Sequence, residues 1–394
     1  MSLHLRWNLA NPSGVASLIL NRIAYAVNWY NLATVFSLIA SEFKQNVSGL
    51  GLASAAFYLG IGIFQLPAGI LAARIGPRLT AVYGTIIYSV AAVLTGFAGS
   101  MVEIIVLRFL VGLGMAFVFA PGIILIVRSL RKGSEGLGVG LYNSAFNSGG
   151  VIGLLGWAVL ASTVGWRNSL IVGGSIGLAT SVLLLVALPK EHKHVDFKIN
   201  FSDLKLILLD KWLITLSIAL LGFGVGNAVL GGFMAYYLES ATHLSVGLSG
   251  AIASLTLVFA FFVAPFSGRL LDRSGNSKRL IVAAGVLMSL GIGVAALSTV
   301  YSAVLAVALV GSAYGAGMTF VFSAARATNK SDQEYETLAV SWVNSISLFG
   351  NFIPPLLFSF LVLRFGYSPA WLCIAALTLL LMIPIALKGS KNKE

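Results

Sequence analysis

The sequence predicts an all-α integral membrane protein with about twelve transmembrane helices, arranged as two pseudo-symmetric six-helix bundles. Three observations predict it: a composition too apolar for a water-soluble fold, apolar stretches of membrane-spanning length at regular intervals, and short motifs that recur in order roughly two hundred residues apart.

Of 394 residues, 58% are hydrophobic and 10% charged, with a mean hydropathy of +0.94, so a bilayer must serve as solvent. The 43 glycines scattered through apolar segments suit close helix packing in lipid, where small residues let backbones approach. The single cysteine, Cys373, lies in an apolar run, forms no internal disulfide and reads as packing. A formal net charge of +12 on a soluble domain would suggest nucleic acid, but here the basic residues sit between apolar stretches and report topology. The opening MSLHLRWNLANPSG leads into a segment holding Asn21, Arg22, Asn28 and Asn31 without a compact apolar core and cleavage site, so the first helix is expected to be retained.

Stretches of about twenty apolar residues fall at 16–40, 49–71, 80–98, 101–126, 137–160 and 168–188, and again at 213–238, 247–267, 280–298, 301–324, 338–362 and 367–387. The expected organisation is therefore an N-terminal bundle (1–188), a linker (189–211) and a C-terminal bundle (212–394). The linker, from Pro189 to Lys211, is charged and reads as a solvated tether with room for a short amphipathic helix. Assigning alternate loops to alternate sides puts twenty of the 25 basic residues on one side. Only Lys44, Arg167 and Arg364 lie opposite, with Arg22 and Arg108 inside helices. By the positive-inside rule, both termini and the linker are cytoplasmic in a multi-pass plasma-membrane protein.

The two halves are related. GILAARIGPR (Gly69 to Arg78) returns as GRLLDRSGNSKR (Gly268 to Arg279) at an offset of 199. GLGMAFVF (Gly112 to Phe119) returns as GAGMTFVF (Gly315 to Phe322) at 203. Asn143, Ser144 and Gly149 return as Asn344, Ser345 and Gly350 at 201. Three matches in the same order imply duplication into parallel repeats, which place a solute site at mid-membrane between two bundles.

On these residues the chain resembles the major facilitator superfamily. The family's loop signature, between the second and third helices and again between the eighth and ninth, is nearly complete in the second copy, with Gly268, Asp272, Arg273, Gly275 and Arg279. The first copy keeps Gly69, Arg74, Gly76 and Arg78 but has Ala73 in place of the usual acid. The fourth-helix pattern appears as RFLVGLG, with Arg108, Gly112 and Gly114. The resemblance spans the chain and implies twelve helices, a solute cavity between the halves, alternating access and a loop motif that latches the cytoplasmic face. Loss of the acid at Ala73 implies a weaker latch in the first half.

Charge inside a membrane is costly and usually functional. Arg108 is expected either to serve the cavity, contacting the first helix or a proton-linked step, or to bond helix carbonyls; Arg22 can snorkel or face a cavity. Arg22, Tyr25 and Trp29 follow i, i+3, i+7 spacing on one helix face, with Asn28 less closely aligned. Tyr142, Asn143 and Asn147 on the fifth helix, Asn227 on the seventh, Tyr314 on the tenth, and Trp342 and Asn344 on the eleventh complete the candidate substrate-binding set. Each also has a plain reading as interhelical hydrogen bonding. Gly149, Gly150, Gly153 and Gly156 read as helix packing and bending, and Pro354 and Pro355 as a break in the eleventh helix. Of 13 acids only Glu103 is placed to enter a helix, near its outer end, which makes it the sole proton-coupling candidate, with an ordinary helix-end acid as its plainer reading, and all four histidines lie in loops.

The expected function is a secondary active or facilitative transporter of a small polar organic solute, an organic anion or metabolite, because Arg22 and Arg108 face no deep acids. Efflux of lipophilic compounds and a non-transporting receptor or scaffold are the alternatives. No cluster suggests an enzyme, a cofactor or a metal. The expected partners are a solute and membrane lipids, not nucleic acid, and the protein is expected to be a monomer.

Overall fold

The computed structural model describes residues 11–130, 135–190, 208–326 and 333–388, and these fold into helices. They are α1 Pro12–Phe43, α2 Val47–Ile75, α3 Pro77–Thr95, α4 Met101–Arg128, α5 Glu135–Val151, a π-helical turn at Ile152–Gly156, α6 Trp157–Ala187, α7 Lys211–Thr242, α8 Val246–Ser274, α9 Ser277–Ala295, α10 Val300–Arg326, α11 Gln333–Gly350, α12 Ile353–Phe365 and α13 Tyr367–Leu387. Eleven apolar helical segments are long enough to cross a bilayer. One of them, Gly140–Ala187, runs for 48 residues, twice what one crossing needs. It turns at Gly165, whose φ of 81° and ψ of 159° are not helical, so the chain makes twelve crossings. The linker residues 191–207 lie outside the described residues.

The helices extend past the apolar windows because polar caps finish them. Asn46, Asp210, Ser245 and Asn276 each accept a hydrogen bond from a first-turn amide, and Pro12 and Pro77 start α1 and α3 where the missing N–H costs nothing. A single residue, Gly76 at φ 88°, joins α2 to α3; a side chain there would be strained. The turns repeat as the motifs do, with Gly76 answered by Gly275 (φ 61°) and Gly165 by Gly366 (φ 85°).

The packing is duplicated too. In the first half α4 lies on α2 and α3, α6 on α1 and α3, and α5 on α1. In the second half α10 lies on α8 and α9, α13 on α7 and α9, and α11 on α7. The structure corrects one register. A Cβ on Gly112 would run into the Phe57 carbonyl oxygen, and one on Gly311 into that of Thr256, so the equivalent contacts are 199 residues apart on both helices. The 203-residue match is one turn out. It is visible in sequence because Gly315 packs on the next carbonyl of the same face, Ala260. The fifth and eleventh crossings are both interrupted at matching heights, by the π turn at Ile152–Gly156 and by the break at Asn351 and Phe352 before Pro354 and Pro355.

The halves meet unevenly. Gly51 packs on Ser359 and Pro355, Gly62 on the Phe349 backbone, Gly250 on Leu154 and Ala158, and Phe36 edge-on against Tyr236 at 5.4 Å. These contacts occupy the middle of the bundle and the end opposite the arginine-rich loops. At the arginine-rich end, no atom of another described element lies within 4 Å of where a Cβ on Gly69 or Gly268 would sit.

Candidate functional site

The site is built around Arg22 on α1. Arg22, Tyr25 and Trp29 share one helix face, and α4 and α5 close over it with Phe119, Tyr142 and Phe146. The guanidinium carbon sits 4.4 Å from the Tyr25 ring centroid, 4.6 Å from those of Tyr142 and Phe146, and 5.0 Å from that of Phe119. Arg22 is only 4% exposed, so it does not snorkel. The rings attract the cation through their quadrupoles, and the Tyr25 and Tyr142 hydroxyls lie within reach of the guanidinium, but among the described residues Nε and Nη1 complete no hydrogen bond of good geometry. Among the described residues the ion pair formed is Arg167 with Glu42, on the far side of the first half. Arg22 is therefore a buried cation with open donors and no counter-charge, an arrangement that favours an anionic ligand.

Arg108, also buried, is differently employed. Its Nη1 donates to the Asn28 carbonyl at 3.1 Å and its Nη2 to that of Trp29 at 3.2 Å, with Phe57 stacked 4.7 Å away. Arg108 fastens α4 to α1 and keeps one free donor, Nε. It borders a small, partly open cleft lined by Trp29, Tyr30, Ser54, Tyr58 and Asn227 among others. Trp29 stands edge-on to Phe57 and Phe146. From the other half, Asn227 of α7 donates to the Tyr30 hydroxyl at 3.2 Å, and Tyr314 of α10 lies within electrostatic reach of Tyr30, Tyr58 and Arg22.

Other candidates fall elsewhere. Asn28 sits about 100° around α1 from Trp29, and its amide donates to the carbonyls of Ala24 and Gly173, both at 2.9 Å. These bonds tie α1 to α6. Tyr142 donates weakly to the Val118 carbonyl while walling Arg22. Asn143 is exposed and Asn147 half-buried, on the stripe of α5 that continues to Gly150 and Leu154, which touch the second half. Trp342 is half-buried against the second-half core with Nε1 unpaired, and Asn344 is buried.

Glu103 caps its own helix. Its carboxylate accepts from the Gly99 amide at 2.9 Å and from the Ser100 hydroxyl at 3.1 Å while Ser100 caps its own amide, a capping box at the exposed start of α4. The spacing Ser-x-x-Glu already carried that signal. Glu103→Gln is expected to lower stability by about 1 kcal/mol or less and to leave any pH dependence of solute flux unchanged, checked by thermal unfolding and flux from pH 5 to 8.

The loop motifs do not meet in this conformation. Arg78 is buried and donates to the Leu185 carbonyl at 2.5 Å within its own half. Its counterpart is Lys278, which bonds the Lys388 carbonyl, and not Arg279, which is exposed. Arg74, Asp272 and Arg273 are exposed, and Asp272 forms no ion pair among the described residues. Gly76 and Gly275 serve as turns.

Sequence reading missed Tyr30, Phe57, Tyr58, Phe119 and Phe146, because an aromatic in an apolar run looks the same whether it faces lipid or a cavity. Phe146, one turn from Tyr142, was the one with a usable signal. It also left Glu239 at a loop edge, whereas the structure places it half-buried on α7. Among the described residues no three metal-ligating side chains come together.

The family model described as Major Facilitator Superfamily matches residues 18–328 and 216–393. Among curated proteins, the "Probable sulfoacetate transporter SauU" of Cupriavidus necator is 32% identical over 161 residues, covering 41% of this chain and 37% of its own length. The "Probable galactarate/D-glucarate transporter GudP" of Escherichia coli is 26% identical, covering 68% and 69%. Of solved structures, a bacterial homologue of the human lysosomal transporter Spinster, inward-facing and occupied, aligns with a TM-score of 0.71 at 19% identity over 94% of each chain. The nucleoside transporter NupG aligns at 0.77 and 13% identity over 95% of this chain and 99% of its own. At such identities the structures speak to the fold alone.

Proposed function

The chain belongs to the Major Facilitator Superfamily, and from that premise we propose that it carries a small organic anion across the plasma membrane by alternating access, with Arg22 as the solute's charge partner. The observation that carries the reading is the buried, aromatic-walled Arg22 with two open donors and no acid beside it. The names of the similar proteins add support, since sulfoacetate, galactarate and glucarate are all organic anions.

In this reading the arginine-rich end, with Arg74, Arg128, Arg273 and Arg326, is cytoplasmic, as are both termini. The bundles 1–188 and 212–394 move as units joined by the linker 189–211, in a monomer. The contacts of Gly51, Gly250 and Phe36 then close the outer face, and the open surroundings of Gly69 and Gly268 leave the inner face apart. An anion that binds Arg22 shifts the balance of the two states only by its differential contacts with Tyr30 and Trp29 of one half and Asn227 and Tyr314 of the other.

Counterflow in proteoliposomes tests the proposal. Vesicles preloaded with sulfoacetate, galactarate or glucarate are expected to accumulate the same labelled anion, and vesicles without protein are not. Movement of lipophilic drugs in place of every anion would turn the reading to efflux. No flux of any compound would leave a receptor or scaffold.

A further inference from the structure

Two buried cations stand in the first half with no acid to offset either. Arg22 is 4% exposed and Arg108 5%, and an arginine keeps its proton inside a protein. Of the acids whose side chains are described, Glu42 accepts from Trp166 and Arg167, Glu103 and Asp210 cap helix starts, and Asp272 is exposed. Glu239 lies in the last turn of α7, about 18 Å along that helix from Asn227. The ion pair formed among the described residues, Arg167 with Glu42, uses neither buried arginine.

The two charges are stationed apart. Arg108 grips α1 at the carbonyls of Asn28 and Trp29, which lie about 10 Å along the helix axis from Arg22. One carboxylate cannot serve both. The interval along α1 is occupied by the rings of Tyr25 and Trp29, 5.8 Å apart, with Phe146 of α5 5.6 Å from Trp29. These are side chains, which can turn to lie along an extended solute where a backbone could not.

Each guanidinium keeps a donor without a completed hydrogen bond. Arg22 is walled by aromatic rings, and Arg108 borders the cleft, whose polar lining is otherwise Ser54, Tyr30, Tyr58 and Asn227. Two bonds to α1 already fix the Arg108 guanidinium, so its third donor, Nε, is presented with little further loss of side-chain freedom. A monoanion offsets one of these charges and leaves the other bare in a low-dielectric interior. An ion with an acidic group at each end offsets both.

We infer that the solute is a dianion, held by Arg22 at one acidic group and by Arg108 at the other. The inference rests on the anion reading above and narrows it. Galactarate, glucarate and sulfoacetate carry two acidic groups each and qualify, whereas an acid with a single charge does not. Arg108 then has two tasks, fastening α4 to α1 through its Nη atoms and meeting the far end of the solute through Nε.

The test measures dissociation constants by titration calorimetry on the purified full chain at pH 7, where the carboxylates of these acids are ionised. Each dianion is paired with the same skeleton after one carboxylate is reduced to an alcohol: galactarate with galactonate, and sulfoacetate with isethionate. In the parent the dianion is expected to bind about thirtyfold or more tighter than its reduced partner. That ratio is expected to collapse toward one in Arg108→Gln. It is expected to fall also in Ser54→Asp, which places a fixed negative charge in the cleft and leaves the bonds from Arg108 to α1 in place. A loss of helix packing alone would weaken both members of a pair and leave the ratio as it was. If Arg108→Gln does not fold, the parent ratio and that of Ser54→Asp decide. A parent ratio near one, or a ratio that the variants leave unchanged, overturns the dianion and spares the anion reading. Binding of none of the four compounds removes the anion reading, and the dianion with it.

Discussion

Arg22→Met is expected to abolish anion binding while leaving the protein as stable as before, or more so. The native guanidinium is enclosed by four aromatic rings, with no acid beside it and two N–H donors unpaired. Holding it there in the empty protein costs desolvation that cation–π attraction offsets only in part. A methionine of similar length packs well against rings and removes that cost. The anion loses its charge partner at the same stroke. Truncating one side of a buried charge pair costs about 2–5 kcal/mol, which is between roughly 30-fold and a few thousandfold in affinity. Arg22→Lys keeps the charge but loses the planar face that stacks on the rings, and is expected to fall between the two. Thermal unfolding with and without sulfoacetate, galactarate and glucarate reads both quantities together. A ligand-induced shift that survives Arg22→Met would remove Arg22 from the site, and a large fall in unfolding temperature without ligand would make it a structural residue.

Gly112→Val and Gly311→Val are expected to be the most damaging single substitutions away from the site. At each position a Cβ would overlap a main-chain carbonyl, that of Phe57 on α2 or of Thr256 on α8, and a backbone atom cannot rotate aside as a side-chain tip can. The helices would have to separate, with a loss of about 3 kcal/mol or more as the α2–α4 or α8–α10 contact opens. Gly69→Ala and Gly268→Ala provide the contrast, because no other described element comes within 4 Å of either position, and each is expected to stay within about 0.5 kcal/mol of the parent. Yield of folded protein and unfolding temperature in detergent distinguish the two classes. Equal behaviour of all four variants would show that the close approach at Gly112 and Gly311 is not what holds these helix pairs. The contrast also bears on the loop motif: Gly69 and Gly268 are free in this conformation, so a role for them belongs to the state in which the inner face closes.

Two arginines in membrane helices looked alike as letters, yet the fold gives them opposite tasks. Arg108 spends two donors on successive carbonyls of α1, and Arg22 keeps two of its own open. Nothing in the local sequence separates them, because a spare carbonyl and an aromatic wall both come from other helices. Asn28 shows the same limit from the other side. Its misalignment with Arg22, Tyr25 and Trp29 was visible in the spacing, but its partner, the Gly173 carbonyl, lies 145 residues away. At Glu103 the capping box is present in the spacing from Ser100, yet sequence reading singles the residue out for proton coupling because it is the one acid near a helix interior.

By itself the sequence determined the number of crossings, the duplication and the glycine turns. Each follows from a local rule: the length of an apolar run, the recurrence of a motif, the conformational freedom of one residue. Tertiary structure alone decided the register between the halves, the aromatic enclosure of Arg22, the bond from Asn227 to Tyr30 and the half-burial of Glu239 on α7. In a membrane helix nearly every side of the cylinder is apolar, so the pattern of letters does not mark which face meets lipid and which meets another helix. That choice is made only when the helices pack.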